Sequence, residues 1–149
     1  MILLEPQHIA ALQANTAARR AAQERGEREP DPVPVVKFFN PMGAATWLVT
    51  ELCEDGVAGS HVPPRDLFGL ADLGFGCPEM GYFSLTEITA LRLPFGLRIE
   101  RDIGFDGLVP LSLWADAARV AGSIIQAQPL IWAIAGNLPD EPESGKARD

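Results

Sequence analysis

Residues 67–102 read LFGLADLGFGCPEMGYFSLTEITALRLPFGLRIERD, and this stretch decides the fold class. Residues 67–73 alternate as a strand does. Phe68, Leu70 and Asp72 fall on one side, and Leu67, Gly69, Ala71 and Leu73 on the other. Gly74-Phe75-Gly76-Cys77-Pro78 is a tight loop, and residues 80–83 form a second short strand. Ser84-Leu85-Thr86-Glu87 has the spacing of a capping box, in which Ser84 holds the Glu87 amide. A short helix carrying Ile88 and Leu91 should follow and stop before Pro94. Residues 97–103 alternate again, with Leu97, Ile99, Arg101 and Ile103 facing inward. An inward Arg101 needs a carboxylate partner, for which Asp72 and Glu51 are the candidates.

Upstream, residues 35–39 (VVKFF) form a strand closed by Asn40-Pro41. Residues 45–53 (ATWLVTELC) form a longer one. Trp47, Val49, Glu51 and Cys53 share one face of it, and Thr46, Leu48, Thr50 and Leu52 the other. Neither face is polar, which suits a central strand. Residues 54–66 are a loop. At the start, Pro6 opens a helix to about residue 23, with Ile9, Leu12, Thr16 and Ala17 at helical spacing and a solvent-exposed Ala/Arg-rich end. Pro30, Pro32 and Pro34 make an extended linker. Downstream, Ser112 caps a helix to about Gln128, with Leu113, Ala117, Val120, Ala121, Ile124 and Ile125 as its apolar stripe, and Pro129 interrupts it. The apolar run 124–135 should be buried, within the chain or against a second copy, and residues 137–149 read as a disordered polar tail. Trp47 and Trp114 are expected in the core, and Trp132 as a contact residue.

These elements give an α+β fold: a mostly antiparallel sheet of about five strands packed by two or three helices. Its organisation is an N-terminal helix and Pro-rich linker (1–34), a core domain (35–128), and an apolar segment with a polar tail (129–149). The 149 residues carry a net charge of −8, of which −6 falls on residues 31–110. Such an acidic middle argues against binding a nucleic-acid backbone, which needs clustered Lys and Arg. Solubility is the plainer reading of the charge, and a basic partner the sharper one. The longest apolar run is too short for a membrane span. The start, MILLEPQH, lacks the features of a secretory signal, so a cytoplasmic setting with Cys53 and Cys77 as free thiols is expected. The spacing of Cys53, Cys77, His8 and His61 matches no zinc motif.

No catalytic motif is complete. The Gly-rich turn at 74–76 lacks the helix that phosphate binding requires. The candidate polar cluster is Glu51, Asp72, Glu79, Tyr82, Glu100, Arg101 and Asp102. Its carboxylates suit a salt-bridge network with Arg98 and Arg101, or else a divalent-metal site in which Asp72 and Glu79 converge. No cofactor other than such a metal is expected.

Three segments carry a resemblance: VPVVKFFNPMGAATWLVTEL, LFGLADLGFGCPEMGYFSLTEI and GLRIERDIGF. Together they resemble a bacterial family labelled domain of unknown function 2958, over roughly residues 3–125. The resemblance implies an accessory protein of plasmids and other mobile elements. It supplies no activity, and it places polar residues at Thr46 and at the seven cluster positions. The loop at 56–65 and the tail after Gln126 depart from the pattern. The leading expectation is a non-enzymatic module acting through protein contacts, including self-association. A metal-dependent hydrolase or nuclease-like enzyme using the acidic cluster is the second. An acidic antirestriction mimic is the third.

Overall fold

The computed structural model describes residues 2–54 and 65–137. Its elements, in chain order, are α1 (Pro6–Glu24), β1 (Val36–Phe39), β2 (Thr46–Cys53), β3 (Asp66–Asp72), β4 (Glu79–Ser84), α2 (Leu85–Ala90), β5 (Glu100–Arg101), α3 (Leu111–Ala121) and α4 (Ile124–Asn137). A single 3-10 turn, Pro94–Gly96, precedes β5. The strands form one antiparallel sheet in the order β4-β3-β2-β1-β5, so β2 is central and β4 lies at an edge. This is the expected α+β fold. The expected loop at 54–66 and polar tail fall largely outside the described residues.

Apolar side chains fill both faces of the sheet. On one face Trp47, Val49, Leu52, Phe38 and Leu67 pack with Leu12 of α1, Ile88 of α2 and Leu3 and Leu4 of the N-terminal segment. On the other, Leu48 and Leu70 pack with Trp114, Ala118, Ile124 and Ile131 of α3 and α4. The Trp114 indole N–H is satisfied by the Gly107 carbonyl at 2.7 Å.

One irregularity in β2 redirects a functional side chain. Val49 pairs with Gly69 and Glu51 with Phe68, so Thr50 is an extra residue, a β-bulge. The bulge breaks the alternation expected for β2. Leu52 joins Trp47 and Val49, and Glu51 lies opposite Phe68, which packs on the other face. Beyond Val49, β2 has no strand neighbour on its β1 side among the described residues. Helix α1 covers that edge instead. Asn15 donates to the Thr50 carbonyl at 2.8 Å and Thr16 to that of Leu52 at 3.0 Å, so side chains take the place of a strand. The C-terminal part of α1 is therefore not exposed all round: Ala22 is buried and Arg19 is ion-paired.

The helical region after residue 110 also differs from expectation. The helix breaks at Gly122, which adopts the left-handed conformation at φ 96°, and Pro129 sits inside α4. Ser123 restarts the helix by accepting the Gln126 N–H. There are thus four α-helices among the described residues rather than two or three. Val120 is exposed because the buried stripe of α3 runs through Leu111, Trp114, Ala115 and Ala118, and Ile125 is exposed because α4 buries Ile124, Ala127 and Ile131 instead. Ser112 is not its own helix's cap. Pro110 holds that position, and Asp31 of the linker accepts from both the Ser112 N–H and its hydroxyl. The run 124–135 is half covered: Ile124, Ala127 and Ile131 are buried, whereas Ile125, Leu130 and Trp132 are exposed. The strand expected over 97–103 shrinks to the two residues of β5. Ile99 is buried, but Ile103 is 80% exposed. Leu91 lies past the end of α2 and is exposed. In the capping box, Ser84 accepts the Glu87 N–H at 3.1 Å.

Candidate functional site

The seven polar-cluster residues separate into four places. Asp72 is buried between β3 and α4. One carboxylate oxygen accepts the Gly74 N–H and the other the Ile124 N–H, both at 2.9 Å. Glu79 lies at the start of β4 in a shallow depression with Cys77 and Arg119. Asp72 and Glu79 therefore do not converge, because the first is consumed as a helix cap. Glu100, Arg101 and Asp102 line an open depression beside Lys37 and Phe39. There Asp102 meets the Lys37 ammonium at 3.5 Å. Arg101 turns inward as expected, but its partners are not Asp72 or Glu51. It donates to the carbonyls of Ile2 and Leu3 at 3.0 and 2.9 Å and reaches the Glu5 carboxylate at 3.5 Å. Asp72 and Glu51 are engaged elsewhere, and β5 pairs with β1 at the opposite end of the sheet from β4. Arg98 donates to the Thr89 carbonyl rather than joining a carboxylate network. Among the described residues, no three His, Cys, Asp or Glu side chains are gathered closely enough to hold a metal ion.

Glu51 and Tyr82 do come together, and they define the most developed site. They line a groove of about 350 Å³ bounded by the end of α1, the linker, the β3–β4 edge of the sheet and the start of α3. Its floor is the Arg19–Glu51 pair. The Arg19 Nε lies 2.9 and 3.2 Å from the two Glu51 oxygens. Glu51 is only 4% exposed, so the pair is fixed rather than solvated. The hydrogen bond that Arg19 donates to Glu51 raises the Arg19 pKa above its ordinary value, against the opposing effect of burial. Its wall is apolar and aromatic. Tyr82 packs edge-on against Phe68 with ring centroids 5.1 Å apart, yet it is 61% exposed, and Met80 beside it is 44% exposed. Glu29 and Asp31 stand at the rim.

Three local causes build this groove. The bulge at Thr50 sends Glu51 to the groove side. The proline-rich linker between α1 and β1 passes the start of α3, where the Leu111 N–H donates to the Pro32 carbonyl at 3.0 Å. Alternation in β4 puts Met80 and Tyr82 opposite Leu70 and Phe68. Glu51 and Tyr82 were expected in a polar site, whereas Arg19, Glu29, Asp31 and Met80 were not. The only sequence signal for Arg19 is its spacing of three from Thr16 on α1, one helical turn along the same face.

The outer face of α4 is the other conspicuous surface. The helix carries no charged residue, and Trp132 is 56% exposed. Cys53 and Cys77 are both free thiols. Among the described residues, no helix is long and apolar enough to cross a membrane.

A family model described as "Protein of unknown function (DUF2958)" matches residues 3–125. No curated protein and no solved structure matches the chain.

Proposed function

From the premise that the chain belongs to the DUF2958 family, we propose that it is a non-enzymatic protein-interaction module whose working surface is the groove beside β4. One observation carries this reading: Tyr82 and Met80 stand exposed on an edge strand, next to a floor whose ion pair is already formed. Exposed aromatic and Met side chains around a fixed polar centre are the composition of a contact surface. The arrangement offers little to acid/base chemistry, because the Glu51 carboxylate is held by Arg19 and Asp72 by two backbone amides. The free thiols of Cys53 and Cys77 suit a reducing, cytosolic setting, and the resemblance supports the role of an accessory protein of a mobile DNA element. Self-association through Ile125, Leu130 and Trp132 of α4 belongs to the same reading, and sedimentation of the wild type beside Trp132→Ala tests it.

The decisive experiment is selection of random displayed peptides on the full chain, repeated with Tyr82→Ala and Met80→Ala. Enriched peptides should bind the wild type and lose binding to both variants. No enrichment, or binding indifferent to both substitutions, would remove the groove from consideration.

A further inference from the structure

We infer that the occupant of the groove is an extended segment of a partner protein, added as a strand along β4, that presents a lysine or arginine to Tyr82. This rests on the reading of the groove as a protein-contact site and names its partner's chemistry.

The backbone supplies the first argument. Strand β4 pairs with β3 on one side only, and no described strand pairs its outer edge. Edge strands are normally blunted by charge, proline or a bulge, since free N–H and C=O groups invite another strand. The six residues of β4, EMGYFS, contain one charge, at Glu79, and no proline. Its pairing with β3 is unbroken from Ala71–Glu79 to Asp66–Ser84. Such an edge suits strand addition, in which main-chain hydrogen bonds give affinity and alternate side chains give specificity.

Alternation then says where the partner's side chains go. Every second residue of an added strand stands on the groove side, beside Met80 and Tyr82. The side chains between them pass over Gly81 on the opposite face, where a Cβ would meet nothing within 4 Å.

Charge selects among those side chains. Three carboxylates line the groove, Glu29, Asp31 and Glu51, against one cation, Arg19. Arg19 is taken up by Glu51 and by the Gln23 amide oxygen. Glu29 accepts from the Gln23 amide and Asp31 from Ser112, both neutral donors. Among the described residues, two of the three carboxylates thus have no cation paired with them, in a chain of net charge −8. Tyr82, packed at a steep angle on Phe68, is 61% exposed, and an accessible aromatic ring is what a cation stacks upon. A basic side chain meets both features at once, whereas an acidic one meets neither.

The test uses the full isotope-labelled chain and three blocked probe peptides that alternate threonine and valine. They differ at the central residue, which is arginine, its neutral isostere citrulline, or glutamate. The arginine peptide should shift the amides of β4 and the Tyr82 ring saturably, and added salt should weaken it. The citrulline peptide should bind about tenfold more weakly, the scale of a partly desolvated cation–π contact. Tyr82→Leu and Glu29→Gln, each checked for an unchanged fold by its amide spectrum, should narrow that difference. Equal binding of the arginine and citrulline peptides overturns the cation and leaves the contact site standing. Shifts away from β4 overturn strand addition. If displayed peptides bind at the groove while none of the probes does, strand addition again falls and the broader reading survives. If neither class binds there, both fall.

Discussion

Ile124 donates its backbone N–H to Asp72 at 2.9 Å, although 52 positions separate the two residues. Strand β3 thereby places a carboxylate at the start of α4, where the helix dipole favours negative charge. The same carboxylate holds the Gly74 amide at the end of its own strand. Asp72→Ala should cost about 1–3 kcal/mol, the penalty for stranding a buried donor. Asp72→Asn should cost less, since it keeps one acceptor oxygen. Urea unfolding of both variants measures this. Equal stability of Asp72→Ala and wild type would show that the bond carries nothing.

The Arg19–Glu51 pair lends itself to a double-mutant cycle. Removing one member of a buried pair costs about 3–5 kcal/mol, and the partial exposure of Arg19 places Arg19→Met near the lower end of that range. Arg19→Met combined with Glu51→Leu should recover much of the loss, because no charge is then left buried. A double variant as unstable as the sum of the single ones would mean the two side chains act independently.

The N terminus holds a pH-sensitive contact. The Glu5 N–H donates to Nδ1 of His8 at 3.0 Å, which requires a neutral imidazole. Burial first, and then the charge of Arg101, hold the His8 pKa below its ordinary 6.5, while Glu5 works in the opposite direction. A histidine with a lowered folded pKa binds protons more readily when unfolded. Its contribution to stability is therefore complete above pH 6.5 and is lost as the pH falls from there through the folded pKa. His8→Gln keeps an acceptor without the titration, so its stability should depend less on pH over this window. Identical pH profiles for the two proteins would refute the assignment.

Gly69 faces Val49 at the edge of the bulge. A Cβ there would run into the Leu48 carbonyl oxygen, so the close approach of β2 and β3 requires glycine. Gly69→Ala should destabilise by about 1–3 kcal/mol, the cost of forcing atoms into a filled site, whereas Gly81→Ala should be nearly silent because its Cβ has open space. Comparable melting temperatures for the two variants would contradict the bulge geometry.

The five strands were legible because each follows a local rule: alternation in β3, a two-sided apolar run in β2, turn residues around β4. The long-range joints were not. Nothing in TWLVTELC announces an extra residue at Thr50, since a bulge is fixed by how β2 and β3 share Gly69. Asp72 reads as a partner for Arg101 or as a metal ligand until α4 is seen to start above it. Arg101 was correctly turned inward by alternation, but its acceptors are main-chain carbonyls, which carry no mark in a sequence. Pro129 is a strong helix-breaking signal, yet Gly122 ended the helix first and left Pro129 near the start of a new one. The groove escaped for the same reason: its parts come from the end of α1, the linker, β2, β4 and α3, and no local pattern joins them.

The clasp that Arg101 forms on the Leu3 carbonyl joins residues 98 positions apart. During synthesis Leu3 and Leu4 are made well before Arg101, and they meet this anchor only once residue 101 has followed them. The antiparallel run β2–β3–β4 has all its partners by residue 84 and can assemble first. Until β5 arrives, Leu3 and Leu4 can pack on the apolar face of α1 and β2 but lack this clasp, so the last of the five strands to be made also secures a segment made well before it.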